Sequence, residues 1–118
     1  MRLTVVGGGS TYTPELIDGI LQRHDRLPLT EVVLVDIDPR RVDIVGRFAR
    51  RMTAHAGVAL DIQWTDDLAS AVSGASFVVS QMRVGTQLAR HRDELLGREF
   101  GLIGQETVGI GGFAKALR

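Results

Sequence analysis

Two glycine-bearing segments hold most of the residues that could do chemistry in this chain of 118 residues. The first, Gly7-Gly8-Gly9-Ser10-Thr11-Tyr12-Thr13-Pro14, follows a short apolar run and leads into a helical pattern. Glycine permits a tight turn and a close backbone approach to a ligand, and the helix behind it aims unpaired N–H groups and the positive end of its dipole at a phosphate. Further on, a second apolar run ends in Asp36, where a carboxylate can accept hydrogen bonds from ribose hydroxyls and would repel a 2′-phosphate. Together these residues predict a dinucleotide site that takes NAD rather than NADP. Each part also has an ordinary structural reading. A glycine-rich turn can simply join strand to helix, and Asp36 can be a solvated strand-end acid or a partner for the start of the next helix. Their order within one βαβ unit favours the nucleotide site. One irregularity stands out: counted from Gly7, the third glycine of the G-x-G-x-x-G pattern is Tyr12, which predicts a looser approach of helix to strand there.

The second segment, Gly104-Gln105-Glu106-Thr107-Val108-Gly109-Ile110-Gly111-Gly112, has four glycines in nine positions around a carboxylate. It predicts special backbone angles and a turn that faces a ligand. Arg83, just past a fourth apolar run, falls at the carboxyl edge of the expected sheet, where ligands bind in open α/β folds. A guanidinium there suits a phosphate, a carboxylate or a hydroxyl-rich substrate, and it equally suits a surface pair with Asp93 or Glu94. Arg90, Arg92, Asp93 and Glu94 read on chemistry alone as an exposed helical face with intrahelical pairs. His24, His55 and His91 have no metal-ligand spacing and read as solvated or capping residues.

The elements that must position these groups follow from hydrophobic period. Leu3 to Val6 is a continuous apolar run, as in a parallel strand covered on both faces. Thr13-Pro14 fits an N-cap and first helical residue, with Ser10 as an earlier start, and Leu16, Ile17, Ile20 and Leu21 recur at helical spacing. Val32 to Val35 makes a second strand, and Asp38-Pro39 caps a helix whose Val42, Val45, Phe48, Ala49 and Met52 form an apolar stripe opposite a basic face of Arg40, Arg41, Arg47, Arg50 and Arg51. Leu60, Ile62 and Trp64 alternate as a third strand, Asp66-Asp67 opens a short helix ended by Gly74, and Phe77-Val78-Val79 forms the fourth strand. A polar helix spans about 86 to 99. Strand and helix alternate as a right-handed, doubly wound, mostly parallel Rossmann-like sheet in three αβα layers requires.

Length predicts a single domain over residues 1–118. The 14 basic and 14 acidic residues balance, so no global field draws the chain to nucleic acid or an anionic membrane. The absence of cysteine rules out disulfides, a thiol nucleophile and thiolate zinc within these residues. The first apolar run is too short for a signal peptide or a membrane span, which predicts a cytoplasmic protein. The helical pattern from Gly109 to Arg118 stops without a C-cap or polar tail, which predicts a truncated chain.

Gly7-Gly8-Gly9-Ser10-Thr11-Tyr12-Thr13-Pro14-Glu15, Leu34-Val35-Asp36-Ile37, Arg83-Val84-Gly85, Arg90-x-x-Asp93-Glu94 and Ile103-Gly104-Gln105-Glu106-Thr107-x-Gly109-x-Gly111-Gly112 together resemble the NAD-dependent glycoside hydrolases of family 4, in order along the whole chain. The first motif resembles the 6-phospho-β-glucosidase branch, in which a tyrosine in the third-glycine slot is usual. Thr86 departs from the family, which usually has a second glycine there. The resemblance implies a hydrolysis outside the two-carboxylate scheme. In that chemistry NAD⁺ oxidises the sugar at C3, the C2 proton is removed, the C1–O bond breaks by elimination, water adds, and the retained NADH re-reduces C3. A divalent metal, typically Mn²⁺, polarises the C2 and C3 oxygens. The family's metal-binding cysteine and histidine and its tyrosine base come from later segments. The resemblance further implies that Gly7, Gly8, Gly9, Ser10, Thr11 and Tyr12 cradle the pyrophosphate and that Asp36 holds the ribose. Arg83, with Arg90, would face a phosphorylated sugar, Glu106 would serve catalysis on the metal and nicotinamide side, and the full-length protein would be a homo-oligomer. Two rivals share part of the pattern: a 2-hydroxy-acid dehydrogenase of the lactate and malate type, and a non-catalytic NAD-binding module. Neither needs the Gly-Gln-Glu-Thr loop.

Overall fold

The structure, a computed structural model, describes residues 1–118. The chain packs as two compact units, Met1–Met82 and Arg83–Arg118. In the first, strands β1 (Arg2–Val6), β2 (Glu31–Val35), β3 (Asp61–Thr65) and β4 (Phe77–Ser80) alternate with helices α1 (Thr13–Leu21), α2 (Pro39–Ala56) and α3 (Leu68–Val72). All strands are parallel, in the order β3-β2-β1-β4. The chain therefore winds outward from β1 to β3 and then crosses back to lay β4 on the other side of β1. That reversal opens a crevice at the carboxyl ends of β1 and β4, where the glycine turn leaves β1.

Strands β1 and β2 read as apolar runs because both their faces are covered, whereas β3 alternates and Phe77 and Val78 of β4 are exposed. Leu3, Val5, Val32, Leu34 and Ile62 pack with Ile17, Ile20, Val42 and Ala49 of α1 and α2. Val33 and Val35 point to the opposite face, against Ala71 of α3, where the buried Thr4 hydroxyl donates to the Ala71 carbonyl at 2.7 Å.

Helix starts follow their caps. Asp38 accepts from the N–H groups of Arg40 and Arg41 at 3.0 and 3.2 Å, and Asp67 from those of Ala69 and Ser70 at 3.0 and 3.3 Å, as expected of short acidic side chains at N-caps. Helix α1 differs from its sequence reading. Its N-cap is Tyr12, with no side-chain cap, and Thr13 already lies inside the helix. The α2 stripe is shifted too: Phe48 is 41% exposed, carries the Arg51 guanidinium over its ring, and leaves Val42, Gly46, Ala49 and Thr53 as the buried positions. Nor is the basic face wholly free. Arg50 donates to the Ile62 carbonyl at 2.7 Å and lies over Trp64, and Arg47 pairs with Asp43.

In the second unit, α4 (Thr86–Glu99) packs on α5 (Gly109–Ala116). Two consecutive left-handed residues lead into α4: Gly85 at φ 80° and Thr86 at φ 62°. A β-branched residue is strained there, because its Cβ crowds the following carbonyl. Thr86→Gly should remove a cost of roughly 1–3 kcal/mol, offset by about 0.5–1 kcal/mol of extra unfolded-state freedom. The expected result is slower native-state hydrogen exchange in the first turns of α4, with a net gain of about 1 kcal/mol. Faster exchange would show that Thr86 is not strained.

Candidate functional site

The glycine turn is built on β2 as much as on β1. After Val6 the chain turns at Gly7, with φ 87°, and the N–H groups of Gly7 and Gly8 both donate to the Val35 carbonyl, at 2.8 and 2.9 Å. A Cβ on Gly7 would lie 2.8 Å from Met82 N, and one on Gly8 would lie 2.7 Å from Leu34 Cβ. Both are closer than real carbon contacts, so packing alone requires glycine at these positions. The turn continues through hydrogen bonds from Ser10 N–H to Gly7 O and from Thr13 N–H to Ser10 O, each 3.1 Å. At its tip Thr11 and Tyr12 are exposed, Tyr12 by 65%. Tyr12 thus occupies the third-glycine slot without crowding, and the close approach falls at Gly8 and the buried Thr13 instead.

Around this turn lie the features an anionic dinucleotide needs. Helices α2 and α3 are capped by aspartates, whereas α1, which starts at the turn, has no side-chain cap. Thr13 N–H bonds the Ser10 carbonyl and Pro14 has no N–H, so Glu15 N–H and the positive end of the dipole are what its first turn leaves for another acceptor. Asp36 stands beside it at the end of β2. Its Oδ2 accepts from Gly9 N–H at 2.9 Å and its Oδ1 from Asp38 N–H at 3.1 Å. The carboxylate therefore does more than either sequence reading allowed, since it braces the turn against the approach to α2. Each oxygen keeps a second lone-pair direction for a ribose hydroxyl. These residues fit a bound dinucleotide.

Within the second unit, Glu106 gathers three cations. Arg83 donates to its Oε1, Arg90 reaches its Oε2 at 3.1 Å, and Lys115 Nζ lies 3.7 Å from Oε1. Arg90 also pairs with Glu94 at 2.8 Å, the intrahelical contact expected of an i,i+4 pair. Arg83 pairs with neither Asp93 nor Glu94. Asp93 is instead 4% exposed and takes a two-pronged grip from Arg118 at 2.7 and 2.7 Å, while Arg92 is exposed. The glycines of the second segment mostly serve packing rather than backbone angle. Only Gly109 has positive φ, while a Cβ on Gly111 would lie 2.8 Å from Asp93 O and one on Gly112 would lie 2.6 Å from Thr107 O.

Burial raises the Glu106 pKa, but the hydrogen bond from Arg83 and the charges of Arg83, Arg90 and Lys115 outweigh it and hold the carboxyl below its ordinary range. Glu106 is thus ionised at neutral pH, a hydrogen-bond acceptor and ion-pair partner rather than a proton donor. No three His, Asp or Glu side chains gather as a metal cluster. His55 and His91 are exposed, His55 in the last turn of α2, whereas Nδ1 of His24 is buried without a protein partner, so that histidine is not simply solvated.

Sequence reading missed Gln81, Lys115 and Arg118. Gln81 had a signal, as an amide directly after a strand that must end beside the glycine turn. Lys115 and Arg118 had none, because their partners lie on another helix and loop.

The parallel order β3-β2-β1-β4, with helices on both faces and a glycine turn leaving β1, defines the class: a Rossmann-like α/β domain. The malate dehydrogenase of Salinibacter ruber shares that fold, with a TM-score of 0.56 at 20% identity over 84% of this chain and 31% of that one. The family model described as Family 4 glycosyl hydrolase matches residues 2–118, and the chain belongs to that family. It is 47% identical to the probable 6-phospho-β-glucosidase of Bacillus subtilis over its full length, covering 27% of that protein. The solved 6-phospho-β-glucosidase of Thermotoga maritima, with manganese, NAD⁺ and glucose-6-phosphate, superimposes with a TM-score of 0.93 at 41% identity, over 100% of this chain and 28% of that one. The chain thus spans little more than a quarter of the relatives it matches.

Two outcomes test the site's construction. Asp36→Asn leaves one acceptor for two opposed N–H donors, so the ligand-free protein should lose about 1–3 kcal/mol in urea unfolding. An unchanged midpoint would mean that Asp36 does not brace the turn. The lowered pKa of Glu106 contributes stability that is fully present above the ordinary carboxyl pKa of 4.5 and is lost as pH falls through the lowered one. Melting curves across that acid range should therefore show a flatter acid limb for Glu106→Gln, and an identical limb would remove Glu106 as its source.

Proposed function

We propose that this chain is the NAD-binding portion of a family 4 glycosidase that hydrolyses 6-phospho-β-glucosides. The observation that carries the proposal is the uncapped N-terminus of α1 behind the glycine turn, with the Asp36 carboxylate beside it. Gly7, Gly8, Gly9, Ser10, Thr11 and Tyr12 surround the pyrophosphate, and Asp36 accepts from the adenosine ribose. Bound NAD⁺ supplies a hydride acceptor that returns its hydride within the same turnover.

Arg83 and Arg90 hold the phosphate of the sugar, for which the three cations and two carboxylates of their cluster leave one net positive charge. Glu106, ionised, keeps both guanidiniums in place and accepts hydrogen bonds from the substrate side. Manganese finds no ligand cluster among these residues. The Gly-Gly-Gly-Ser-x-Tyr-Thr-Pro-Glu form and the 47% identity to a probable 6-phospho-β-glucosidase support the β branch. No helix is long and apolar enough to cross a membrane, in keeping with a cytoplasmic enzyme acting on a phosphorylated sugar. The longer protein is proposed to assemble as a homo-oligomer.

Calorimetric titration of the 118-residue chain should show NAD bound at least about tenfold more tightly than NADP, the 2′-phosphate being repelled by Asp36. Equal affinities would remove Asp36 from ribose recognition. The same chain should leave a 6-phospho-β-glucoside intact. In the longer protein, stripping NAD⁺ should abolish hydrolysis and adding it should restore it, without net NADH release. Hydrolysis that persists without NAD⁺ would sink the proposal, and stoichiometric NADH release would point to a hydroxy-acid dehydrogenase.

A further inference from the structure

We propose that Thr13 and Gln81 are positioning residues that lock the peptide planes of the glycine turn before the dinucleotide arrives. This rests on the NAD reading above and names residues that reading does not use.

Thr13 is fully buried, yet its side chain is polar. Its hydroxyl donates to the Gly8 carbonyl at 2.9 Å and accepts from Gln81 Nε2 at 2.6 Å. The same amide nitrogen donates to the Gly7 carbonyl at 3.2 Å, and the Gln81 backbone N–H donates to Val6 O at 2.9 Å. Both amide hydrogens of Gln81 are thus committed, and the hydroxyl hydrogen of Thr13 has one direction left. The pair forms a short directed chain from the end of β4 to the two carbonyls of the turn.

Peptide planarity turns these contacts into a lock. The Gly8 carbonyl and the Gly9 N–H share one plane; Thr13 holds its oxygen and Asp36 Oδ2 holds its N–H. The Gly7 carbonyl and the Gly8 N–H share the preceding plane; Gln81 holds its oxygen and the Val35 carbonyl holds its N–H. Each plane is fixed at both ends, and neither can flip without breaking a hydrogen bond at each of them. Three consecutive glycines are otherwise the most mobile backbone a chain can have. A turn that must be ordered on binding would lose that entropy from its affinity, whereas one already locked does not.

The experiment measures two quantities on the whole chain: NAD affinity by calorimetry, and hydrogen exchange of the Gly8 and Gly9 amides in ligand-free protein by NMR. Thr13→Val keeps the side-chain shape but leaves the Gly8 carbonyl and the Gln81 amide without their partner, and Gln81→Met keeps its length without donors. Each is expected to weaken NAD binding about tenfold and to speed amide exchange in the turn. Thr13→Ser, which retains the hydroxyl, should stay within about threefold of the parent on both counts. The double variant should lose little more than either single one, because the two residues act as one chain. If Thr13→Val does not fold, the half-buried Gln81→Met carries the test. A parent that fails to bind NAD overturns the cofactor reading. A parent that binds while both variants bind and exchange as it does overturns this inference alone, as does a double variant whose losses simply multiply.

Discussion

The Val35 carbonyl, which accepts N–H groups from both Gly7 and Gly8, is the contact on which the nucleotide side of the molecule depends. It anchors the exit of β1 to the end of β2, and it can do so only because no Cβ stands between the turn and Leu34. Once that distance is set, the rest follows by reach. Gly9 comes within hydrogen-bonding distance of Asp36, Thr13 falls beneath the turn, and α1 starts at an angle that leaves its N-terminus at the crevice. A larger residue at Gly8 would move all of these together.

The three helices of the first unit divide the work of their N-termini. Asp38 and Asp67 supply anionic oxygen to α2 and α3 from within the chain, and the dipole ends of these helices are thereby used up in folding. Helix α1 receives no such oxygen: the hydroxyl of Thr13, its first residue, is turned inward to the Gly8 carbonyl, and Ser10 Oγ accepts from Tyr12 N–H within the turn. The polar side chain that might have capped the helix is employed in shaping the turn. This leaves the positive end of α1 for an anion from outside.

Much of this was legible in the sequence because it depends on local rules. Apolar runs give parallel strands, Asp38-Pro39 and Asp67 give helix starts, and a glycine turn followed by a strand-end acid gives the crevice. What was not legible depends on distance in the chain. Thr13 reads as an N-cap because Thr-Pro at a helix start is a cap in most settings; its real partner, Gln81, lies 68 residues further on. Phe48 fits the helical stripe by spacing, but Gly46 lets Trp64 pack so close that the buried face rotates away from it. The charges of α4 reach beyond their own helix: Glu106 draws Arg83 and Arg90, and Arg118 takes Asp93. Period and propensity report a residue's neighbours along an element, and these contacts are made between elements.

The Glu106 cluster changes what it means for an anion to bind beside Arg83 and Arg90. The guanidiniums are not bare charges awaiting a partner, for a carboxylate already offsets part of their charge at contact distance. On the proposed phosphate role, an entering anion would share these arginines with Glu106, through guanidinium N–H groups that the carboxylate leaves open. A singly charged oxyanion offers these arginines nothing better than the carboxylate they hold. A doubly charged phosphate would offer more, with Glu106 still holding both guanidiniums in place. The internal carboxylate would thereby set a threshold of charge for a ligand to exceed before any contact reads its shape.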